Sequence, residues 1–194
     1  IRDHLQSRGL GDVYKRQNLL KSLGSKVKFE KKNLIIDNCN QNKKFAAYKL
    51  VKTMRAGILV LGPLLAKFGY AKVSLPGGCA IGSRPIDLHL KGLSKLGVEY
   101  KIDQGYVHAV APRGLKGSNI RFSKISVGAT ENLIIAACLA KGTTILTNCA
   151  IEPEIKDLTN FLIKLGCNIK WIAKRSIKIV GVKNTCLLYT SDAA

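Results

Sequence analysis

The sequence predicts an α/β fold built from a repeated unit, and three observations carry that expectation. Three segments read alike, short alternating strands recur between helices, and two of the helices are apolar nearly all round.

The repeat sets the framework. Segments 19–37 (LLKSLGSKVKFEKKNLIID), 92–110 (GLSKLGVEYKIDQGYVHAV) and 161–180 (FLIKLGCNIKWIAKRSIKIV) each close a helix on Leu-Gly, then alternate, turn on polar residues and alternate again. The glycine fits a left-handed helix C-cap, and the alternation fits a hairpin. These glycines, Gly24, Gly97 and Gly166, lie 73 and 69 residues apart. A second element repeats in step. Helix 56–69 (AGILVLGPLLAKFG) leads into strand 71–75, and helix 129–142 (ATENLIIAACLAKG) leads into strand 143–147. The unit is therefore strand, helix, strand, helix, strand, strand, over about 70 residues. That period is too long for a solenoid and predicts a pseudo-threefold domain whose first copy is truncated.

The apolar helices 56–68 and 129–140 present no polar face, so both are expected to be buried on all sides. The helices ending at Leu96 and Leu165 carry Asp87, Lys91, Lys95 and Glu154, Lys156, Lys164 on one face and are expected nearer water.

Composition narrows the class. A chain of 194 residues with 46% hydrophobic and 23% charged side chains builds a packed core. No apolar run approaches the roughly 20 residues of a membrane span, and 1–17 lack a secretory pattern, so a cytoplasmic protein is expected. The net charge of +20 invites a nucleic-acid reading, but the lysines follow no single face and no aromatic-interleaved basic stripe is present. The charge reads as a lysine-rich surface that would also suit a multiply anionic substrate. No nucleic-acid or membrane partner is expected. Six cysteines include no C-x-x-C pair, and Cys138, Cys149 and Cys167 lie in apolar segments as small buried hydrophobes.

The ends differ from the middle. VYKRQ (13–17) and CLLYTSDAA (186–194) resemble translated adaptor sequence, so 1–17 and 185–194 are expected to be non-native tails around a core at 18–184.

Three places are candidates for chemistry. In SLPGGCAIGSRPIDLHLKGL (74–93), Pro76, Gly77, Gly78 and Gly82 make a flexible loop around Cys79, and nearby Arg84 favours a thiolate. Pro85 suits a helix first turn, with Asp87 in the same turn. In KISVGAT (124–130), Ser126 and Thr130 are alternative caps, Gly128 permits close approach of a ligand, and Lys124 adds charge at a helix N-terminus suited to an anion. Arg55 stands at the mouth of the first apolar helix, either as a rim residue or as an anion ligand. His89 and His108 are each read as structural rather than as metal ligands.

Through these residues the sequence resembles the UDP-N-acetylglucosamine 1-carboxyvinyltransferase family. The likeness runs through 48–69, 73–97, 124–155 and 161–166, and the string PGGC-x-IG-x-RP-x-DLH (76–89) is its most specific part. The resemblance implies an inside-out α/β barrel of βαβαββ units, of which this chain holds most of the first domain. It implies transfer of enolpyruvate from phosphoenolpyruvate to the sugar 3-hydroxyl with release of phosphate, without metal or redox cofactor. Cys79 matches the proton donor, which can also bind phosphoenolpyruvate covalently and is the target of fosfomycin, and Arg84 matches a phosphoenolpyruvate contact beside the sugar nucleotide. Arg84, Pro85, Ile86, Asp87 and Leu88, together with Lys124, Ile125, Ser126 and Val127, match the stretches that hold UDP, and Arg55 matches another substrate contact. The family's Lys-Asn pair, its proposed aspartate base and its second domain have no counterpart here, which implies little or no turnover by this chain alone. The enolpyruvyl shikimate-phosphate synthases share the architecture but lack the loop cysteine. A nucleic-acid-binding or RNA-end-processing protein on a related repeated fold, and a non-catalytic sugar-nucleotide-binding half-enzyme, are the competing readings.

Overall fold

A computed structural model describes residues 10–30, 33–37, 43–46, 48–51, 55–75 and 86–183. The chain forms two compact units, the first of 1–60, 71–84 and 101–108, the second of 61–70, 85–100 and 109–194.

In the first unit, helix α1 (Leu10–Ser22) crosses the boundary expected at residue 18 and buries Gln17, Leu19 and, just beyond it, Leu23. Gly24 follows with φ 101°, the left-handed cap that the Leu-Gly pattern predicts. Strands β1 (Lys26–Glu30) and β2 (Asn33–Asp37) then pair as an antiparallel hairpin, from Lys26 opposite Asp37 to Glu30 opposite Asn33. Strand β3 (Phe45–Ala46) precedes a short helix α2 (Tyr48–Val51). β3 runs parallel to β4 (Tyr70–Ser74) in a sheet completed by β5 (Glu99–Asp103) and β6 (Tyr106–Val110), in the order β3-β4-β6-β5. The turn between β5 and β6 holds Gln104 and Gly105 at φ 47° and 78°. Two successive positive φ values give the tight turn whose twist matches a hairpin.

In the second unit, β7 (Asn119–Arg121) is parallel to β8 (Thr143–Thr147), while β10 (Ser176–Val180) is antiparallel to both β8 and β9 (Asn168–Ala173), in the order β7-β8-β10-β9. Register places Ile120 beside Leu146 and Leu146 beside Ile177, so buried apolar side chains form a row across one face. The parallel pair β7-β8 requires a crossover, supplied by α5 (Val127–Cys138). Helices α3 (Leu61–Phe68), α4 (Asp87–Lys95) and α6 (Pro153–Lys164) complete the unit.

Both four-stranded sheets run first-second-fourth-third, and the strand–helix–strand–helix–strand–strand order recurs from β3 to β6 and from β7 to β10. The hairpin β1-β2 corresponds to the closing pair of an earlier copy. The predicted repeat is the observed one.

The expectation of enclosed helices holds for α5. It packs against α3, α4, α6 and β10, and eight of its twelve residues are buried, against three of twelve in α6. Leu133 and Ile134 are fully buried, each contributing about 2 kcal/mol of apolar transfer free energy. The other apolar helix departs from expectation. Residues Arg55–Val60 form a 3₁₀ segment and the α-helix begins only at Leu61, with Lys67 exposed. Pro63 explains the break, because it lacks the N–H that an α-helix would bond to residue 59, and proline is tolerated only in a first turn. Among the described residues, no helix is long and apolar enough to cross a membrane.

Candidate functional site

The N-terminus of α5 is held in place by hydroxyls. Ser126 is extended (φ −145°, ψ 120°), and its Oγ accepts the Ala129 N–H at 3.3 Å. Of the two candidate caps, Ser126 is therefore the one used. Thr130 instead donates its hydroxyl to the Ser126 carbonyl at 2.7 Å and accepts the Ala150 N–H at 3.2 Å, tying the cap to the segment before α6. The first-turn N–H groups of Val127 and Gly128 have no acceptor within an α-helix and carry the positive end of its dipole. Lys124 and Ile125 are exposed, and Ser126 and Val127 half-buried, at this end. The arrangement suits an anion.

The second predicted stretch forms the start of α4. Ile86 is the N-cap residue, without a side-chain cap, and its carbonyl accepts the Leu90 N–H at 3.1 Å. Asp87, exposed in the first turn, is placed where a carboxylate offsets the helix dipole. Helix α4 begins at Asp87, two residues beyond the proline expected in its first turn. Leu88 is half-buried and borders a groove that Ser123, next to Lys124, borders as well. Of the first stretch, Leu88 lines this groove, and the second stretch begins one residue beyond it, at Lys124.

What aligns the two helix starts is a buried polar node that sequence reasoning missed. Asn132, fully buried in α5, accepts the Gly62 N–H of α3 on Oδ1 at 2.7 Å, and its Nδ2 lies 3.0 Å from His89 Nδ1 in α4. A backbone N–H only donates, so Oδ1 must face Gly62 and Nδ2–H must face His89. Nδ1 of His89 is then an acceptor and its ring is neutral, with the proton on Nε2. Burial lowers the His89 pKa to about 4. A Cβ on Gly62 would overlap Asn132 Oδ1 and come within 2.6 Å of its carbonyl oxygen, so α3 meets α5 nearly backbone to backbone. The signal for the node lay in the sequence as one amide opening an otherwise apolar stretch, NLIIAAC (132–138). The reading of His89 as structural agrees with this geometry.

Arg55 opens the 3₁₀ segment of the first unit. Cys79, Arg84 and Pro85 lie outside the described residues. Cys138, Cys149 and Cys167 are buried, as expected for small hydrophobes. Burial pushes the Cys149 thiol up to about 12, and raises Cys138 and Cys167 as well, so none is a nucleophile at neutral pH.

Comparison with known proteins agrees with this architecture. Residues 1–191 match the family model described as EPSP synthase (3-phosphoshikimate 1-carboxyvinyltransferase). The chain is 76% identical over 166 residues to the UDP-N-acetylglucosamine 1-carboxyvinyltransferase of Pelagibacter ubique, covering 86% of this chain and 40% of that protein. A protein of the same name from Trichlorobacter lovleyi is 51% identical over 173 residues, covering 89% of this chain and 41% of its own. The chain thus spans about two-fifths of the length of these relatives. Among solved structures, the enolpyruvyl transferase NikO of Streptomyces tendae superposes with a TM-score of 0.76 at 18% identity, covering 90% of this chain and 41% of that one. An EPSP synthase of Acinetobacter baumannii gives 0.65 at 14% identity, covering 89% and 40%. At such identities the structures establish a shared α/β fold.

Proposed function

Since this chain belongs to the EPSP synthase family of carboxyvinyltransferases, we propose that the protein it comes from moves enolpyruvate from phosphoenolpyruvate to the 3-hydroxyl of UDP-N-acetylglucosamine, releasing phosphate. The observation that carries this reading is the 76% identity over 166 residues to a protein bearing that activity's name. The PGGC-x-IG-x-RP-x-DLH string supports it, as does the capped helix start at Ser126.

In this reading the sugar hydroxyl gives its proton to a base as its oxygen adds to the enol carbon of phosphoenolpyruvate, while the Cys79 thiol protonates the methylene carbon. The tetrahedral intermediate then loses a proton from that carbon and expels phosphate, restoring the double bond. Arg84 holds the phosphate of phosphoenolpyruvate, and Arg55 contacts substrate. The stretches Arg84–Leu88 and Lys124–Val127 hold the UDP portion, with N–H groups at the start of α5 offered to an anionic oxygen. A role in peptidoglycan synthesis, and so in cell shape and division, in the cytoplasm, goes with this reading. So does alkylation of Cys79 by fosfomycin. The base and further cations belong to a second domain, so this chain alone turns over little or nothing.

The test is phosphate release by the complete protein containing residues 18–184, given phosphoenolpyruvate and either UDP-N-acetylglucosamine or 3-phosphoshikimate. Release that depends on the sugar nucleotide and is abolished by Cys79→Ala is expected. Release with 3-phosphoshikimate instead would overturn the assignment, and rapid release by the 194-residue chain alone would overturn its inactivity.

A further inference from the structure

The groove bordered by Leu88 and Ser123 continues away from both predicted stretches, and its far part has a chemistry of its own. It has a volume of about 440 Å³ and runs between α4 and β7. Lys91 and Lys95 line one wall and Arg121 the other, with Ser94, Tyr100 and Asn119 adding hydroxyl and amide groups. No acidic side chain is among the described residues that line it. Lys91 and Lys95 are four residues apart on one helical face, where like charges repel by a few tenths of a kcal/mol. Arg121 adds a third cation, and all three are exposed. The cost of gathering these charges is offset when an anion sits among them.

The groove also has a firm floor. Ile120 and Phe122 are buried on the β7 side. On the α4 side, a Cβ on Gly92 would overlap the Leu133 side chain, so this helix is pressed against α5. The volume falls within the range of small-molecule sites, roughly 300–1,000 Å³. A guanidinium and two ammonium groups lining one groove match the oxygens of a phosphate or diphosphate better than those of a single carboxylate.

We propose that the α4–β7 groove is a second anion site, which binds the phosphate or diphosphate of a small molecule through Lys91, Lys95 and Arg121, apart from the Lys124–Val127 stretch. The site does not rest on the transferase reading. It is tested on the 194-residue chain with inorganic pyrophosphate, by calorimetry and by amide shifts in two-dimensional NMR. Saturable shifts at Ser94, Lys95 and Arg121 are expected, weakening as salt rises. Arg121→Gln should reduce affinity roughly fivefold, the equivalent of one charge-assisted contact. Lys178→Gln, an exposed charge on β10 outside the groove, should leave affinity unchanged. A nucleoside diphosphate that binds more tightly than pyrophosphate, with the gain lost in Tyr100→Ala, assigns an ester to the site; equal affinities assign the inorganic anion. Shifts confined to Val127 and Gly128 would overturn the proposal, as would equal losses in Arg121→Gln and Lys178→Gln. Single-stranded RNA held at the same residues and not displaced by pyrophosphate would make the groove a nucleic-acid surface, and would equally overturn it.

Discussion

The amide of Asn132 donates to Nδ1 of His89 at 3.0 Å. That bond, with the Gly62 N–H on the other side of the same amide, joins α3, α4 and α5 at one buried point. Asp87 lies two residues before His89, and Val127 five residues before Asn132. The helix starts that carry the candidate nucleotide stretches are thus fixed within about two turns of a shared hydrogen-bonded node.

Asn132→Ala removes partners from two buried groups, the Gly62 N–H and His89 Nδ1. Each unsatisfied group costs about 1–3 kcal/mol, so a loss of about 2–4 kcal/mol is expected. Urea denaturation measures it, and a change below 1 kcal/mol would show that the node does not hold the helices.

His89 makes stability depend on pH with a defined sign. Its ordinary value of 6.5 is lowered to about 4 in the fold by burial, so the unfolded chain takes up the proton first. The contribution is fully present above pH 6.5 and is lost as pH falls from 6.5 towards 4. It amounts to about 3 kcal/mol. A His89→Gln variant should lose that slope and retain the slope due to carboxylates. Parallel stability curves for the two proteins would refute the assignment.

Two glycines face α5 with different tolerance. A Cβ at Gly62 meets the Asn132 amide oxygen and backbone, which have little room to move, whereas one at Gly92 meets the ends of the Leu133 side chain. Gly62→Ala should therefore cost about 2–3 kcal/mol and Gly92→Ala about 1 kcal/mol. Thermal denaturation of the pair checks the order, and the reverse order would be inconsistent with the packing described.

Ser126 separates stability from binding. Ser126→Ala should lose about 1 kcal/mol of stability through the missing cap to the Ala129 N–H. Ser126→Asp should keep the cap, because aspartate is as good an N-cap. It also puts a negative charge at the N–H groups proposed for the nucleotide, so UDP-N-acetylglucosamine affinity of the complete protein should fall at least about tenfold. Calorimetry showing unchanged affinity in Ser126→Asp would remove the α5 start from the proposed site.

The three buried thiols should resist reagents. Cys138, Cys149 and Cys167 all have raised pKa values from burial. Their modification at pH 8 is expected to wait on local opening, roughly a hundredfold slower than in the urea-unfolded chain. Mass spectrometry of peptides after brief alkylation reads this directly, and rapid labelling of Cys149 in the native chain would contradict it.

Much of the architecture was legible in the sequence. The Leu-Gly closures at 24, 97 and 166 marked real left-handed caps, since only a few local residues decide whether a helix can end that way. Alternation over five or six residues was enough to place β5-β6 and β9-β10 as hairpins. An apolar circumference was enough to bury α5, but the same reading overran at 56–60. There Pro63 acts four residues upstream through a missing hydrogen bond, which composition does not display.

The site divided along the same line. Ser126 and Thr130 were both legible as caps, because either hydroxyl satisfies the local pattern. Choosing between them needed the Ala150 N–H, twenty residues away, which draws Thr130 into another bond. Lys91 and Lys95 were legible as neighbours on one helical face, but Arg121 comes from a strand that only the packed unit brings to the same groove.

The sequence by itself determined the repeat, most of the element types and the glycine-capped helix ends, because each follows from interactions within a few residues along the chain. The tertiary structure decided which polar groups meet. A lone amide in an apolar helix becomes the tie between Gly62 and His89 only when three helices enclose it, where an unpaired donor or acceptor is costly and leaves one arrangement favoured.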